Sequence, residues 1–293
     1  MSKLPIWFLR VSETHQITPH MIRVVLTGDD LQGLSLSEPD QQVKLYFPRA
    51  GQARPSLPAA TADTDVMSWY QAYSAIPDDE RPWMRSYTIR WHDAATSSIA
   101  IDFVVHKHAG PATQWAVNAK PGDTLGVFGP SAMFARHTPL SAQLNDADWV
   151  LLIGDDAAIP AMSTIIERLP ADKPAYAFIE VAGAPDEQPL TTRARLETTW
   201  LHRGSIEPGH SDALLQAVRA VNLPDGTGFA WVGGEANAVR GIRRHLVGDR
   251  GMPKRLVDFT GYWRLQLTQD DAPTPEDLAE AQERLAEMQS AKA

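Results

Sequence analysis

The hydrophobic pattern of this chain changes character once, near Pro139, and that break limits the folds open to it. Before it, apolar residues come in short stretches with the period of strands: Ile6–Glu13, Met21–Thr27, Gln42–Phe47, Met84–Trp91, Ile99–His106 and Thr124–Phe128. Turn-forming stretches such as Thr27-Gly28-Asp29-Asp30 and Pro121-Gly122-Asp123 separate them. Six short strands with one helix predict a closed antiparallel barrel. After Pro139, Trp149–Ile153 is a continuous apolar run of the kind a buried parallel strand requires. Helical and strand segments then alternate: Ile159–Leu169, Ala175–Val181, Trp200–Arg203, Ser211–Val221, Phe229–Val232, Ala236–Val247 and Leu256–Tyr262. That alternation predicts an α/β domain with a parallel sheet.

The expected organisation is therefore a barrel domain over residues 1–138, an α/β domain over 139–269 and a C-terminal linker and helix over 270–293. Residues 50–82, rich in Pro and Ala, read as a long surface excursion. Thr274-Pro275-Glu276-Asp277 opens the last helix, with Thr274 as N-cap, Pro275 at the first helical position and Asp277 closing a capping box.

The chain has 293 residues and no cysteine, which excludes disulfides, a thiolate nucleophile and Cys-ligated zinc or iron–sulfur clusters. Electron transfer would need a bound organic cofactor or a metal site without Cys. His106-Lys107-His108 is the one close histidine pair, and it lacks a third ligand nearby, so a phosphate or surface contact is favoured over a metal. A net charge of −9 argues against nucleic acid as the main partner. The longest apolar run is far short of the roughly 20 residues of a membrane helix, and the N-terminus lacks the pattern of a signal peptide. A cytoplasmic protein is expected.

Five stretches carry the chemistry. In Arg85-Ser86-Tyr87-Thr88-Ile89-Arg90, strand alternation sends Arg85, Tyr87 and Ile89 to one face and Ser86, Thr88 and Arg90 to the other. A guanidinium, an aromatic platform and a hydroxyl within one span suit the pyrophosphate, the isoalloxazine and the N5 region of FAD. A packing strand has the same composition. Gly110-Pro111-Ala112-Thr113 opens a helix after a strand, and its exposed amides make an anion site. Gly154-Asp155-Asp156-Ala157-Ala158 follows the first α/β strand, where nucleotides bind, but lacks the G-x-G-x-x-G fingerprint. Trp231-Val232-Gly233-Gly234-Glu235 is either a structural turn or a place where a ring approaches a strand end. Tyr262-Trp263-Arg264 ends the last strand, and its aromatics serve either the core or a flavin face.

In order and spacing, these stretches together with Asp102-Phe103-Val104-Val105-His106 resemble the siderophore-interacting protein family of ferric-siderophore reductases, ferredoxin–NADP reductase-like flavoproteins. The resemblance implies an FAD-binding barrel and an NAD(P)H-binding α/β domain meeting at the flavin. It implies FAD contacts for Arg85, Ser86, Tyr87, Thr88, Asp102, Val104, His106, Ala112, Thr113 and Trp263, with Thr88 and Tyr87 nearest the reacting ring. Asp155, Ala158 and Glu235 would border the nicotinamide nucleotide. Lys107-His108 and Ser131 depart from the family pattern; the second weakens any expectation of a basic triad for the siderophore.

The activity so implied passes electrons from NADPH or NADH through FAD to siderophore-bound Fe(III), releasing Fe(II). Lys44, Arg49, Arg90 and Arg264 are the candidates for holding an anionic ferric siderophore. Arg193, Arg195 and Arg203 tilt the donor toward NADPH, because a 2′-phosphate favours nearby arginine. A general ferric-chelate or flavin reductase, a non-catalytic siderophore-binding protein, and a reductase fed by a ferredoxin-type partner stay open as alternatives.

Overall fold

Short strands with alternating apolar residues close most economically by pairing the first with the last, since a closed barrel leaves no strand edge unpaired. The computed structural model describes residues 4–61, 64–106, 110–131, 136, 138–265, 267, 271, 274–279 and 282, and within it the first half does close in this way. Its strands are β1 (Ile6–Thr18), β2 (Met21–Thr27), β3 (Gln42–Phe47), β4 (Trp83–Asp93), β5 (Ser98–Val104) and β6 (Thr124–Phe128). They run in the order β1-β2-β5-β4-β3-β6 and form a closed barrel, every pair antiparallel. Alternate residues fill it: Val24 and Leu26, Val43 and Leu45, Ile99 and Ile101, Leu125 and Val127. Helix α2 (Pro111–Asn118) lays Ala112 and Ala116 against this core.

The 50–82 excursion is not featureless. It contains helix α1 (Val66–Ser74), N-capped by Asp65, whose side chain accepts from the Ser68 amide at 2.9 Å. Trp69 and Tyr73 of α1 are buried against Tyr46 and Phe128 in a satellite core outside the barrel. Periodicity missed α1 because only one side of a short helix is covered.

The second half is a five-stranded sheet of β7 (Trp149–Asp155), β8 (Pro174–Val181), β9 (Arg195–His202), β10 (Gly228–Glu235) and β11 (Val257–Trp263). Its order is β11-β10-β7-β8-β9 and every pair is parallel. The two central strands, β7 and β10, are buried along their whole length. Helices α3 (Leu140–Asp146) and α4 (Ile159–Glu167) cover one face; α5 (Ala213–Ala220) and α6 (Ala236–Arg244) cover the other. β9 is longer than its apolar residues indicate, because its polar face is exposed at the sheet edge.

The strand order reverses between β7 and β10, so the loops leaving those strands diverge and open a crevice at their carboxyl ends, where open α/β sheets bind ligands. The barrel is docked by long-range polar contacts. Asp40 is central: its carboxylate accepts from the Trp231 indole at 2.9 Å and from Arg136 at 2.6 and 2.8 Å, while its amide donates to Thr164 at 2.8 Å. Met21 of β2 is buried within the α/β core.

At the C-terminus the capping box forms. Thr274 Oγ1 accepts from the Asp277 amide at 3.2 Å, and Asp277 accepts from the Thr274 amide at 2.8 Å. Residues 275–279 are helical; the rest of the expected helix falls almost wholly outside the described residues, as do Lys107 and His108.

Candidate functional site

The ladder between β4 and β5 covers only Ile89 to Asp93 on the β4 side. Beyond Ile89 the two strands part, leaving residues 84–88 of β4 facing the end of β5 across a gap in the barrel wall. Arg85, Ser86, Tyr87 and Thr88 lie on one lip of this gap. Asp102, Val104 and His106 lie on the other, and Ala112 and Thr113 open the helix that follows.

The faces of β4 divide as its alternation predicts. Tyr87 and Ile89 pack toward the barrel core, and the Tyr87 ring lies 4.4 Å from Phe103 between centroids. Burial pushes the Tyr87 phenol well above its usual range. Arg85 donates to the Met84 carbonyl at 2.7 Å. The other face looks at the α/β domain. Ser86 accepts from Lys44 at 2.5 Å, Thr88 is buried beside the Tyr262 hydroxyl, and Arg90 bonds Glu167 of α4 at 2.6 Å. The Tyr262 hydroxyl is buried without a well-formed hydrogen bond.

Several expected ligand contacts are engaged within the protein. Asp102 forms a bidentate pair with Arg23 at 2.6 and 2.8 Å, and Arg23 is a residue that the sequence reading passed over. The Thr113 hydroxyl donates to the Val104 carbonyl at 3.2 Å, tying the start of α2 to the end of β5. α2 has no side-chain N-cap, which leaves its opening turn to Pro111 and the backbone.

The second group of residues gathers at the crevice. Asp155 ends β7 and is buried; its Oδ2 accepts from the Glu235 amide at 2.9 Å and from the Trp263 indole at 2.8 Å, and its Oδ1 from the Ala157 amide at 2.9 Å. Burial and the neighbouring Asp156 push the Asp155 carboxyl up to about 7. Glu235 caps α6 by accepting from the Asn237 and Ala238 amides at 2.7 and 3.0 Å. Glycine is required twice here. A Cβ on Gly154 would fall 2.4 Å from Ala158 Cβ, and Gly234, at φ +140°, would strike Asp155 at 2.7 Å. Ala158 itself is fully buried beneath Gly154, so its side chain serves packing and offers a ligand no surface.

Barrel gap and crevice meet at His106. Its ring lies 6.3 Å from that of Trp263, and its Nε2 is 3.9 Å from Asp156 Oδ1. Burial lowers its pKa, with Asp156 opposing. Asp156, part of the Gly154–Ala158 stretch but given no role of its own there, is buried and bonds the buried Arg203 at 2.8 Å.

The four cations expected to form one anion pocket are not brought together. Lys44 lies beside Ser86, its pKa lowered by burial. Arg90 is taken up by Glu167 and Arg264 bonds Asp277 at 2.6 Å. Arg49 lies past the Phe47–Trp83 end of the β3–β4 ladder, the end away from Thr88, where it stacks 3.9 Å over Trp83 and bonds the carbonyls of Arg81 and Asp78. Spacing in sequence could not show this, because each partner belongs to a distant segment.

Comparison with known proteins agrees with this architecture. A family model for the siderophore-interacting FAD-binding domain matches residues 10–134, and one for siderophore-interacting protein matches residues 147–266. An uncharacterized protein of Mycobacterium tuberculosis is 33% identical over 92% of this chain and 94% of its own. Ferric vibriobactin reductase ViuB of Vibrio cholerae is 29% identical over 85% of both chains. The crystal structure of a siderophore utilization protein from T. fusca superposes with a TM-score of 0.77 at 38% identity, covering 92% of this chain and 97% of the other. Its barrel being the family's FAD-binding domain and its α/β half the family's second domain, the chain belongs to the siderophore-interacting protein family.

Proposed function

We propose that this protein is a cytoplasmic ferric-siderophore reductase that takes electrons from a reduced nicotinamide dinucleotide and delivers them to Fe(III) held by a siderophore. The observation that carries this reading is the convergence of the parted β4–β5 wall and the β7–β10 crevice on one junction, lined by His106 and Trp263.

The residues present fit FAD. Arg85 supplies a guanidinium for a diphosphate, and the uncapped start of α2 supplies backbone amides and the positive end of its dipole. Tyr87, held by Phe103, is a rigid aromatic platform. Thr88 brings a hydroxyl to the other side of the same lip, next to the unsatisfied Tyr262 phenol. FAD bound there supplies the exchange between a two-electron donor and a one-electron acceptor.

The chain's own residues do the positioning. The Trp263–Asp155–Glu235 bonds hold the ends of β7, β10 and β11 as one rigid edge for the dinucleotide. Gly209 packs on Trp263 and Glu235, where an added Cβ would sit 3.0 and 3.4 Å away, so the loop after β9 lies close against that edge. His106, kept neutral by burial, donates or accepts a hydrogen bond without adding a charge. Among the four cations considered for the siderophore, Lys44 of β3 retains the role, bonded to Ser86 on the face of β4 that Thr88 shares. Fe(III) in hard oxygen donors is released on reduction because Fe(II) suits those ligands less well.

The test is an anaerobic visible spectrum of the purified protein, titrated with NADH or NADPH and then with a ferric siderophore. Bleaching of a bound flavin by the dinucleotide and its reoxidation by the chelate are expected. A flavin that neither dinucleotide bleaches would transfer the reading to a ferredoxin-fed reductase, and a colourless protein to a siderophore carrier.

A further inference from the structure

Arg193 and Arg195, which favoured a 2′-phosphate in sequence, precede or open β9, and Arg195 pairs in register with Pro174 at the amino end of the sheet. Parallel sheets bind nucleotides at the opposite, carboxyl edge. Arg203 does stand at that edge, but its side chain is 4% exposed and bonded to Asp156 at 2.8 Å, so its charge is already matched.

What the carboxyl edge of β8 offers instead is a carboxylate. Glu180 is the penultimate residue of β8 and is buried, and its Oε2 has no hydrogen-bond partner. Asp156 Oδ1, at the start of the first strand-to-helix turn, is buried and unpartnered in the same way. Buried carboxylate oxygens without donors are rare and call for a donor from elsewhere. The Ser211 hydroxyl stands near Glu180, in the loop that crosses this edge before α5. Exposed Asp212 and Glu207 add negative charge to the same loop.

We propose that the β8 edge selects the dinucleotide with an unphosphorylated ribose, NADH over NADPH, with Glu180 as the discriminating residue. This rests on the donor assignment made above and deepens it. A ribose hydroxyl entering at this edge donates to Glu180 Oε2, the oxygen left without a donor. A 2′-phosphate has no proton to donate there and meets Glu180 and Asp212 as like charges, Asp156 being matched by Arg203. Discrimination of about 100-fold is expected from a like-charge contact of this kind.

The test is calorimetric titration of the flavin-loaded protein with ADP-ribose and with 2′-phospho-ADP-ribose, which reads binding without any electron transfer. Tighter binding of ADP-ribose by 30-fold or more, on the order of that same like-charge penalty, is the expected result. Equal binding, or tighter binding of the phosphorylated ligand, overturns the inference while leaving the reductase reading intact. If neither ligand binds and neither dinucleotide bleaches the flavin, the donor assignment falls with it. Glu180→Gln should weaken ADP-ribose several-fold, as a charge-assisted bond to the ribose becomes a neutral one, and raise the affinity for the phosphorylated ligand about 10-fold, as one like-charge contact is removed. A Glu180 that merely supports the fold would weaken both ligands alike, and the wild-type ratio remains a test even if the variant misfolds.

Discussion

The Trp263 indole donates to Asp155 Oδ2 at 2.8 Å, joining the last strand of the sheet to its first across β10. The bond places a ring from the end of the chain beside His106 of the barrel, so the junction is assembled from three segments distant in sequence.

Asp155 makes the stability of the protein pH-dependent in a definite sense. Its carboxyl titrates near 7 in the fold, against about 3.9 in an unfolded chain. The native state therefore binds the extra proton between those values, and its contribution to stability, full at low pH, is lost as pH rises toward 7. Asp155→Asn lacks that titration. Its Tm relative to wild type should rise between pH 5 and pH 8, measured by scanning calorimetry, and a constant difference would assign the titration elsewhere.

Arg136 holds two carboxylates, Asp40 bidentately and Asp258 at 2.7 Å. Burial already pushes the Asp40 carboxyl up despite this partner. Arg136→Met leaves Asp40 buried with only the Trp231 indole, and should cost about 3–5 kcal/mol in urea unfolding. A loss below 1 kcal/mol would show that water reaches Asp40.

Arg90 and Glu167 tie β4 to α4 at 2.6 Å with 17% and 40% of their side chains exposed. Pairs so placed contribute about 0–1 kcal/mol. Arg90→Ala should shift stability by no more than that and leave the KM for a ferric chelate within about twofold, the change expected when no contact to substrate is lost. A large rise in KM would return Arg90 to the substrate pocket.

Arg85→Ala should weaken flavin binding by about 1.5–3 kcal/mol, the range for a charge-assisted hydrogen bond. Equilibrium dialysis against FAD reads it directly. Thr88→Val should spare flavin affinity and the fold but slow flavin reduction in stopped flow; an unaltered rate would remove Thr88 from the reacting ring.

Much of this was legible locally. Strand alternation placed Arg85 and Tyr87 opposite Ser86 and Thr88, and a four-residue signal predicted the Thr274–Asp277 capping box that forms. The parallel sheet followed from β7, whose unbroken apolar run is buried on both faces. α1 escaped notice because its buried residues, Trp69 and Tyr73, answer to Tyr46 and Phe128 rather than to a periodic core.

By itself the sequence determined the strands, the helix starts and the change of architecture at Pro139, since propensity, capping and periodicity act over a few residues. Tertiary structure alone decided which charges are spent and which remain. Arg90 meets Glu167, Arg203 meets Asp156 and Arg136 meets Asp40, while Glu180 keeps one oxygen without a donor. Burial and pairing set the value of a charge, and both depend on neighbours that the chain supplies from far away.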